Sequence, residues 1–215
     1  MAAYSFNASS GTTALDVSGN GNNGVLTNGP LWVAGNNGNG VRLDGVNDYV
    51  DLGNPAALRL TGSMTLSAWI NASAFPFDDA AIISKRQSAN VGYQLDTTID
   101  RGPRTMSFKI SDAAGQTVAR YGATTLVTNT WYHVAGVYDA TNRTMQVYVN
   151  GKLDNVALVG TIPAAQPAST PNVHLGQRPG APGQFNFAGV LDDVRLYNRA
   201  LSQAEIQADM GTPMP

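Results

Sequence analysis

The sequence predicts an all-β fold, a two-sheet antiparallel jelly-roll sandwich with one short C-terminal helix, over residues 1–215 as a single domain. Three observations predict it. Short segments of alternating apolar and polar residues recur from residue 64 onward, and a period of two marks strands with one buried face. Asn-Gly pairs, a strong turn signal, occur at 20–21, 23–24, 28–29, 37–38, 39–40 and 150–151. Among the acidic residues only Glu205 is a glutamate, and aspartate suits turns better than helices.

The strand candidates, in order, are MTLSAWI (64–70), AIIS (81–84), YQLD (93–96), RTMSFKI (104–110), QTVARY (116–121), HVAGVYD (133–139), MQVYVNG (145–151), NVHLG (172–176) and GVLDDVRLY (189–197). Val, Ile, Thr and Tyr are frequent in them, as a pleated, half-buried surface favours. Asn150-Gly151 lies between MQVYV and KLDNVAL. It predicts a type I′ hairpin, whose two central residues both need φ > 0. Residues 160–171 and 178–184 are rich in turn formers and read as loops within the domain. The helix is expected over 202–210. Ser202 and Glu205 have capping-box spacing, and Gly211 and Pro213 stop the helix.

Composition removes several function classes. Net charge is −2 and the 13 basic residues form no run, so bulk charge attracts neither nucleic acid nor anionic membrane. No stretch approaches the roughly 18 apolar residues of a membrane span. The chain has no cysteine, which excludes disulfides, thiolate metal sites and cysteine nucleophiles. MAAYSF enters strand-like sequence at once, without a signal-peptide pattern. The expectation is an excised module with an added start residue. There is no G-x-S-x-G elbow. Asp78-Asp79 read as solvated loop charges, and His133 and His174 as packed or half-exposed strand residues.

The stretch DVSGNGNNG (16–24) is dense in oxygen ligands and glycine. It matches the first half of an EF-hand loop, with Ser18 at the third ligand position. Such a loop closes with a bidentate Glu at position twelve, and here that position is Thr27. A cation loop lacking one carboxylate and a metal-free Asx/Gly turn both remain open. Zinc is excluded, because two distant histidines without cysteine supply too few ligands.

Six segments in order then carry a resemblance: DVSGNGNNG, VRLDGVNDYVDLG, MTLSAWI, TWYHVAGVYD, MQVYVNGKL and FAGVLDDVRLYNRALSQAEI. Together they resemble the laminin G-like (concanavalin A-like lectin/glucanase) jelly-roll domain, in the form common in bacterial extracellular multidomain proteins. The resemblance implies a concave and a convex sheet and one structural Ca²⁺. Its ligands would be Asp16 and Asn20 from the glycine-rich loop, Gly45 through its carbonyl, and Asp192 from the D-x-V-R strand. Asp193 would point to the opposite side of that strand. Laminarinase-like enzymes of this fold carry E-x-D-x-E, and retaining glycosidases need two carboxyl groups about 5 Å apart; no E-x-D-x-E occurs here.

The expected function is therefore a non-catalytic, Ca²⁺-stabilised, lectin-like module. It would bind carbohydrate or another extracellular ligand for a larger secreted or cell-surface protein. The alternatives are a glycoside hydrolase or lyase on the same fold, and a protein-interaction or spacer domain. Candidate ligand-binding residues are Tyr93, Arg104, His174, Arg178 and Phe185, with the loop FPFDD (75–79) as a further rim element. Trp69, Trp131 and Trp32 are expected to pack in the core.

Overall fold

The computed structural model describes residues 1–87, 91–181 and 183–215. Its strands, in chain order, are β1 (Ala2–Tyr4), β2 (Thr13–Ala14), β3 (Gly24–Thr27), β4 (Leu31–Ala34), β5 (Asn39–Asp44), β6 (Tyr49–Asp51), β7 (Met64–Ala74), β8 (Ala80–Ser84) and β9 (Gln94–Thr98). They continue with β10 (Thr105–Ser111), β11 (Thr117–Gly122), β12 (Trp131–Asp139), β13 (Thr144–Val149), β14 (Lys152–Leu153), β15 (Asn155–Val159), β16 (His174–Leu175) and β17 (Ala188–Tyr197). The helix α1 spans Gln203–Gly211. Sheet A has the order β14-β13-β12-β7-β17-β5-β4, with β1 also paired to β17; sheet B has the order β15-β11-β10-β9-β8-β16-β6-β3-β2. Neighbouring named strands pair antiparallel.

Alternation decides what each sheet buries. On β10, Met106, Phe108 and Ile110 enter the core between the sheets, together with Leu66 and Ile70 of β7 and Leu191 of β17. The sheets approach so closely that a Cβ on Gly136 would lie 2.5 Å from the Phe108 ring. The Asn150-Gly151 hairpin forms as predicted, joining β13 to β14 with φ of 50° and 71°. Residues 160–171 and the described part of 178–184 are loops; Pro182 lies outside the described residues.

On the outer face of sheet A, Ala135, Val137 and Tyr148 form a second apolar cluster with Leu201 and Ile206. That cluster seats α1. The capping box is complete: Ser202 Oγ accepts from Glu205 N at 3.3 Å, and Glu205 Oε2 accepts from Ser202 N at 2.8 Å. Ser202→Ala is expected to lower Tm by about 2–4 °C in a melting curve; an unchanged Tm would show that packing alone holds α1.

Trp69 and Trp131 do not enter the core. Odd-numbered β12 residues and β7 residues of Trp69's parity face outward, so both indoles are half-buried on the outer face of sheet A. Trp69 meets the buried His133 edge-on, with ring centroids 5.4 Å apart. Trp32 does pack against the core, beside Phe6, and its Nε1–H donates to the Gly11 carbonyl at 2.8 Å. Asp193 departs from simple alternation as well. It sits in a bulge of β17 with φ 44°. The bulge turns its carboxylate toward the same loop that Asp192 holds.

Candidate functional site

The outer face of sheet B is polar and buried. Gln94, Asp96 and Thr98 of β9 face outward beside Lys109, Ser107 and Thr105 of β10, in that register. Each of them is buried although none faces the apolar core. Loops cover this floor, and long side chains cross it. Arg86, beyond the end of β8, donates from Nη2 to Thr117 Oγ1 on β11 at 2.6 Å, with two strands between.

Lys109 is the hub of the floor. Its Nζ lies 2.6 Å from Asp79 Oδ2 and 3.3 Å from both Asp96 Oδ2 and Asp100 Oδ2. Burial works against the ammonium, but Asp96, Asp79 and Asp100 outweigh it and hold the Lys109 pKa above the ordinary lysine value. Burial, with the Asp79 charge, pushes Asp96 up to about 7. Asp96 also accepts from Ser107 Oγ and Gln94 Nε2. It is fully enclosed, so it has no surface to offer a substrate.

A cleft of about 250 Å³ opens at one end of this floor, lined by 76–79 on one bank and 183–186 with Gly45 on the other. Arg104 braces the first bank. Its guanidinium donates to the carbonyls of Pro76 and Asp78 and lies 5.2 Å from the Phe75 ring centre. The second bank is tied down by Phe185, whose carbonyl accepts from Ala81 N at 2.9 Å and whose ring lies 5.0 Å from the Arg178 guanidinium. Phe77 stands at the mouth, 93% exposed. Two enclosed acceptors on the cleft residues, Asp79 Oδ1 and Asn186 Oδ1, have no hydrogen-bond partner among the described residues.

The predicted ligand residues divide accordingly. Phe185 lines the cleft, and Arg178 and Arg104 sit behind its banks. His174 lies in a different depression with Gln87, Pro171 and Pro179. It stacks on Tyr49 at 4.3 Å and faces Asp51 Oδ1 at 3.8 Å; burial lowers its pKa against the pull of Asp51. Tyr93 is a correction. It is fully buried in the core and donates to the Leu58 carbonyl at 2.9 Å. It shares parity with Leu95, whereas Gln94 and Asp96 face the floor. Asp79 is a second correction: it is a buried ion-pair partner, while only its neighbour Asp78 is an exposed loop charge.

The four expected metal ligands sit in separate hydrogen-bonded settings. Asp16 Oδ1 accepts from Ala3 N and Ser18 N, and its Oδ2 accepts from Asn22 N and Nδ2. Burial opposes its charge, but these bonds prevail and lower its pKa. Asn20 donates its amide to the Met1 carbonyl and Ser18 Oγ. Asp192 Oδ2 accepts from Asn36 N and Asn37 N, both at 2.8 Å, and its Oδ1 from Asp193 N at 2.7 Å. Gly45 packs against Ala188, four residues along β17 from Asp192, or about 13 Å at strand rise. Amide donors already engage the Asp16 and Asp192 oxygens, and Gly45 lies too far along β17 from Asp192 to share one Ca²⁺ shell with it.

Comparisons with known proteins agree with this architecture. The family profile described as "Concanavalin A-like lectin/glucanases superfamily" (Laminin_G_3) matches residues 43–207. No curated protein sequence matches the chain. Among solved structures, domain 4 of AbnA, an extracellular arabinanase from Geobacillus stearothermophilus solved with arabinotriose, is 20% identical with a TM-score of 0.66, covering 97% of both chains. The botulinum neurotoxin serotype G binding domain is 11% identical with a TM-score of 0.73, over 98% of this chain and 50% of that one. The binding domain of Paraclostridial Mosquitocidal Protein 1 is 16% identical with a TM-score of 0.71, over 94% of this chain and 50% of that one. The chain thus spans half the length of the two toxin domains. At these identities the likeness is one of fold.

Proposed function

This chain belongs to the laminin G-type family of the concanavalin A-like lectin/glucanases superfamily, and from that premise we propose that it is a non-catalytic module that binds carbohydrate in the cleft between 76–79 and 183–186. One observation carries the reading. An exposed aromatic ring, Phe77, stands at the mouth of a braced cleft lined by the acceptor-bearing residues Asp78, Gln184 and Asn186. A sugar supplies hydroxyl donors to such acceptors and an apolar ring face to the phenyl group. The arabinotriose complex of a similar domain supports a glycan over other ligands. On this reading the module serves a larger secreted or cell-surface protein.

A glycan array followed by calorimetry tests the proposal. Phe77→Ala is expected to weaken the best glycan about three- to tenfold, corresponding to about 0.5–1.5 kcal/mol of aromatic contact, with Tm unchanged. Undiminished affinity in the variant would move the ligand away from this cleft. Turnover of any glycan on the array would replace the reading with hydrolase or lyase activity.

A further inference from the structure

We propose that α1 and the residues after it form a strap across the outer face of sheet A, and that protonation of His133 beneath it releases the strap in acid. The strap is tied at both edges of the ground it crosses. At one edge Gln207 Nε2 donates to the Gly151 carbonyl in the β13–β14 hairpin at 3.0 Å. At the other, Arg195 Nη2 on β17 donates to the Thr212 carbonyl at 2.7 Å, and Asp193 Oδ1 accepts from Met214 N at 3.2 Å. β12 and β7 lie between β13 and β17 in the sheet. Residues 207–212 therefore cross those two strands. His133 is level with the hairpin, its backbone N–H donating to Asn150 Oδ1 at 2.9 Å, and it pairs with Trp69 of β7.

The covered ground is polar and unsatisfied. His133 faces outward from sheet A yet has no exposed surface. Both of its ring nitrogens are enclosed with no hydrogen-bond partner among the described residues, as are Trp69 Nε1, Ser67 Oγ and Arg195 Nη1. The register sets these side chains next to one another, His133 opposite Trp69 and Ser67 opposite Arg195. Trp69 and Arg195 can only donate, and a neutral imidazole keeps one acceptor nitrogen among them. Protonation removes that acceptor and adds a charge to an enclosure already rich in donors. An uncompensated buried charge is costly, and lifting the strap admits the water that solvates it. The strap has little apolar hold to resist with, since Ile206 is the one buried residue of α1.

The charged groups around the ring do not offset the proton. On β17, Arg195 has the same sign, Asp192 and Asp193 spend their carboxylates on Asn36, Asn37 and Met214, and the Tyr197 hydroxyl goes to Asp209 of α1. Glu205 of α1 pairs with Arg199 at the surface. Lys152 of β14 is exposed and also positive, while β7 and the hairpin present the neutral Ser67, Trp69 and Asn150. Burial first, and then the Arg195 charge, hold the His133 pKa down to about 4. Once exposed, the ring returns to about 6.5. The docked strap is therefore fully held above about pH 6.5 and loses stability as pH falls from there toward 4. Its release uncovers Ala135, Val137 and Tyr148, the apolar seat of α1.

Hydrogen–deuterium exchange of the α1 amides in the whole chain tests the strap. After correction for the intrinsic pH dependence of exchange, protection of residues 206–211 is expected to fall about tenfold to thirtyfold between pH 7.5 and pH 5. His133→Gln takes no proton and is expected to abolish the fall. His174→Gln, on sheet B, is expected to keep it. The chain has two histidines, so proton NMR of the His174→Gln variant follows His133 alone and keeps the test open if His133→Gln does not fold. Equal protection at the two pH values overturns the strap. So does a fall that persists in His133→Gln, or a His133 ring that titrates near 6.5 while α1 stays protected.

Discussion

Replacing Lys109 with methionine is expected to cost the fold about 3–5 kcal/mol at pH 8, because removing one partner of a buried ion cluster leaves the others uncompensated. Methionine keeps the length of the stem, so the loss reports the charge and not a cavity. The groups left behind are Asp79 and Asp96, both buried, and the partly exposed Asp100. In a chain of 215 residues a loss of this size lowers Tm by about 6–20 °C. The deficit should also depend on pH. The Asp96 carboxyl is raised to about 7 in the fold, against about 3.9 when unfolded. Between these values the folded chain holds a proton that the unfolded chain has released. The stability Asp96 contributes is therefore complete below pH 4 and is lost as pH rises through 7. In wild type the Lys109 ammonium opposes that loss. Without it Asp96 takes its proton more readily, so the variant's deficit should be smaller at pH 5 than at pH 8. Chemical denaturation at the two pH values measures this. A variant as stable as wild type at pH 8 would show that the carboxylates do not depend on the ammonium.

The strand pattern from β7 onward was legible because its segments are long enough to show a period of two, and the observed strands start and stop within a few residues of the predicted ones. The earlier strands, β1 to β6, run from two to six residues. Several of them are too short for alternation to register. The outward face of β10 was also readable, since Lys109 lies between Phe108 and Ile110. What could not be read is that loops bury this face. Tyr93 was assigned the wrong face, although its shared parity with Leu95 was a usable signal. Asp79 illustrates the harder limit: its ionic partner lies 30 residues later in the sequence, and no local pattern marks it. The bulge that turns Asp193 beside Asp192 has no signature either, because neither residue is a glycine.

The same pair of aspartates carries the last prediction. The loop holding Gly35, Asn36 and Asn37 is secured to β17 by the Asp192 carboxylate, which accepts two of its backbone amides. Asp193 adds a bond from Asn37 Nδ2 at 3.0 Å and one from Met214 N at 3.2 Å, drawing in the C-terminal tail. Hydrogen bonds thus tie both the loop and the tail to β17. Burial, with the neighbouring Asp193 charge, raises Asp192 to about 6 against these amides, so the carboxylate is held there at some electrostatic cost. Asp192→Ala removes the shared acceptor and leaves half-buried amides that water reaches in part. Counting about 1 kcal/mol for each lost bond, the expected loss is about 2–3 kcal/mol, or a Tm lower by about 4–12 °C. This loss is expected to be the same in Ca²⁺ and in chelator, because both Asp192 oxygens already accept from backbone amides. A destabilisation of Asp192→Ala seen only in Ca²⁺ would reverse the assignment and return the metal to the strand where the sequence first suggested it.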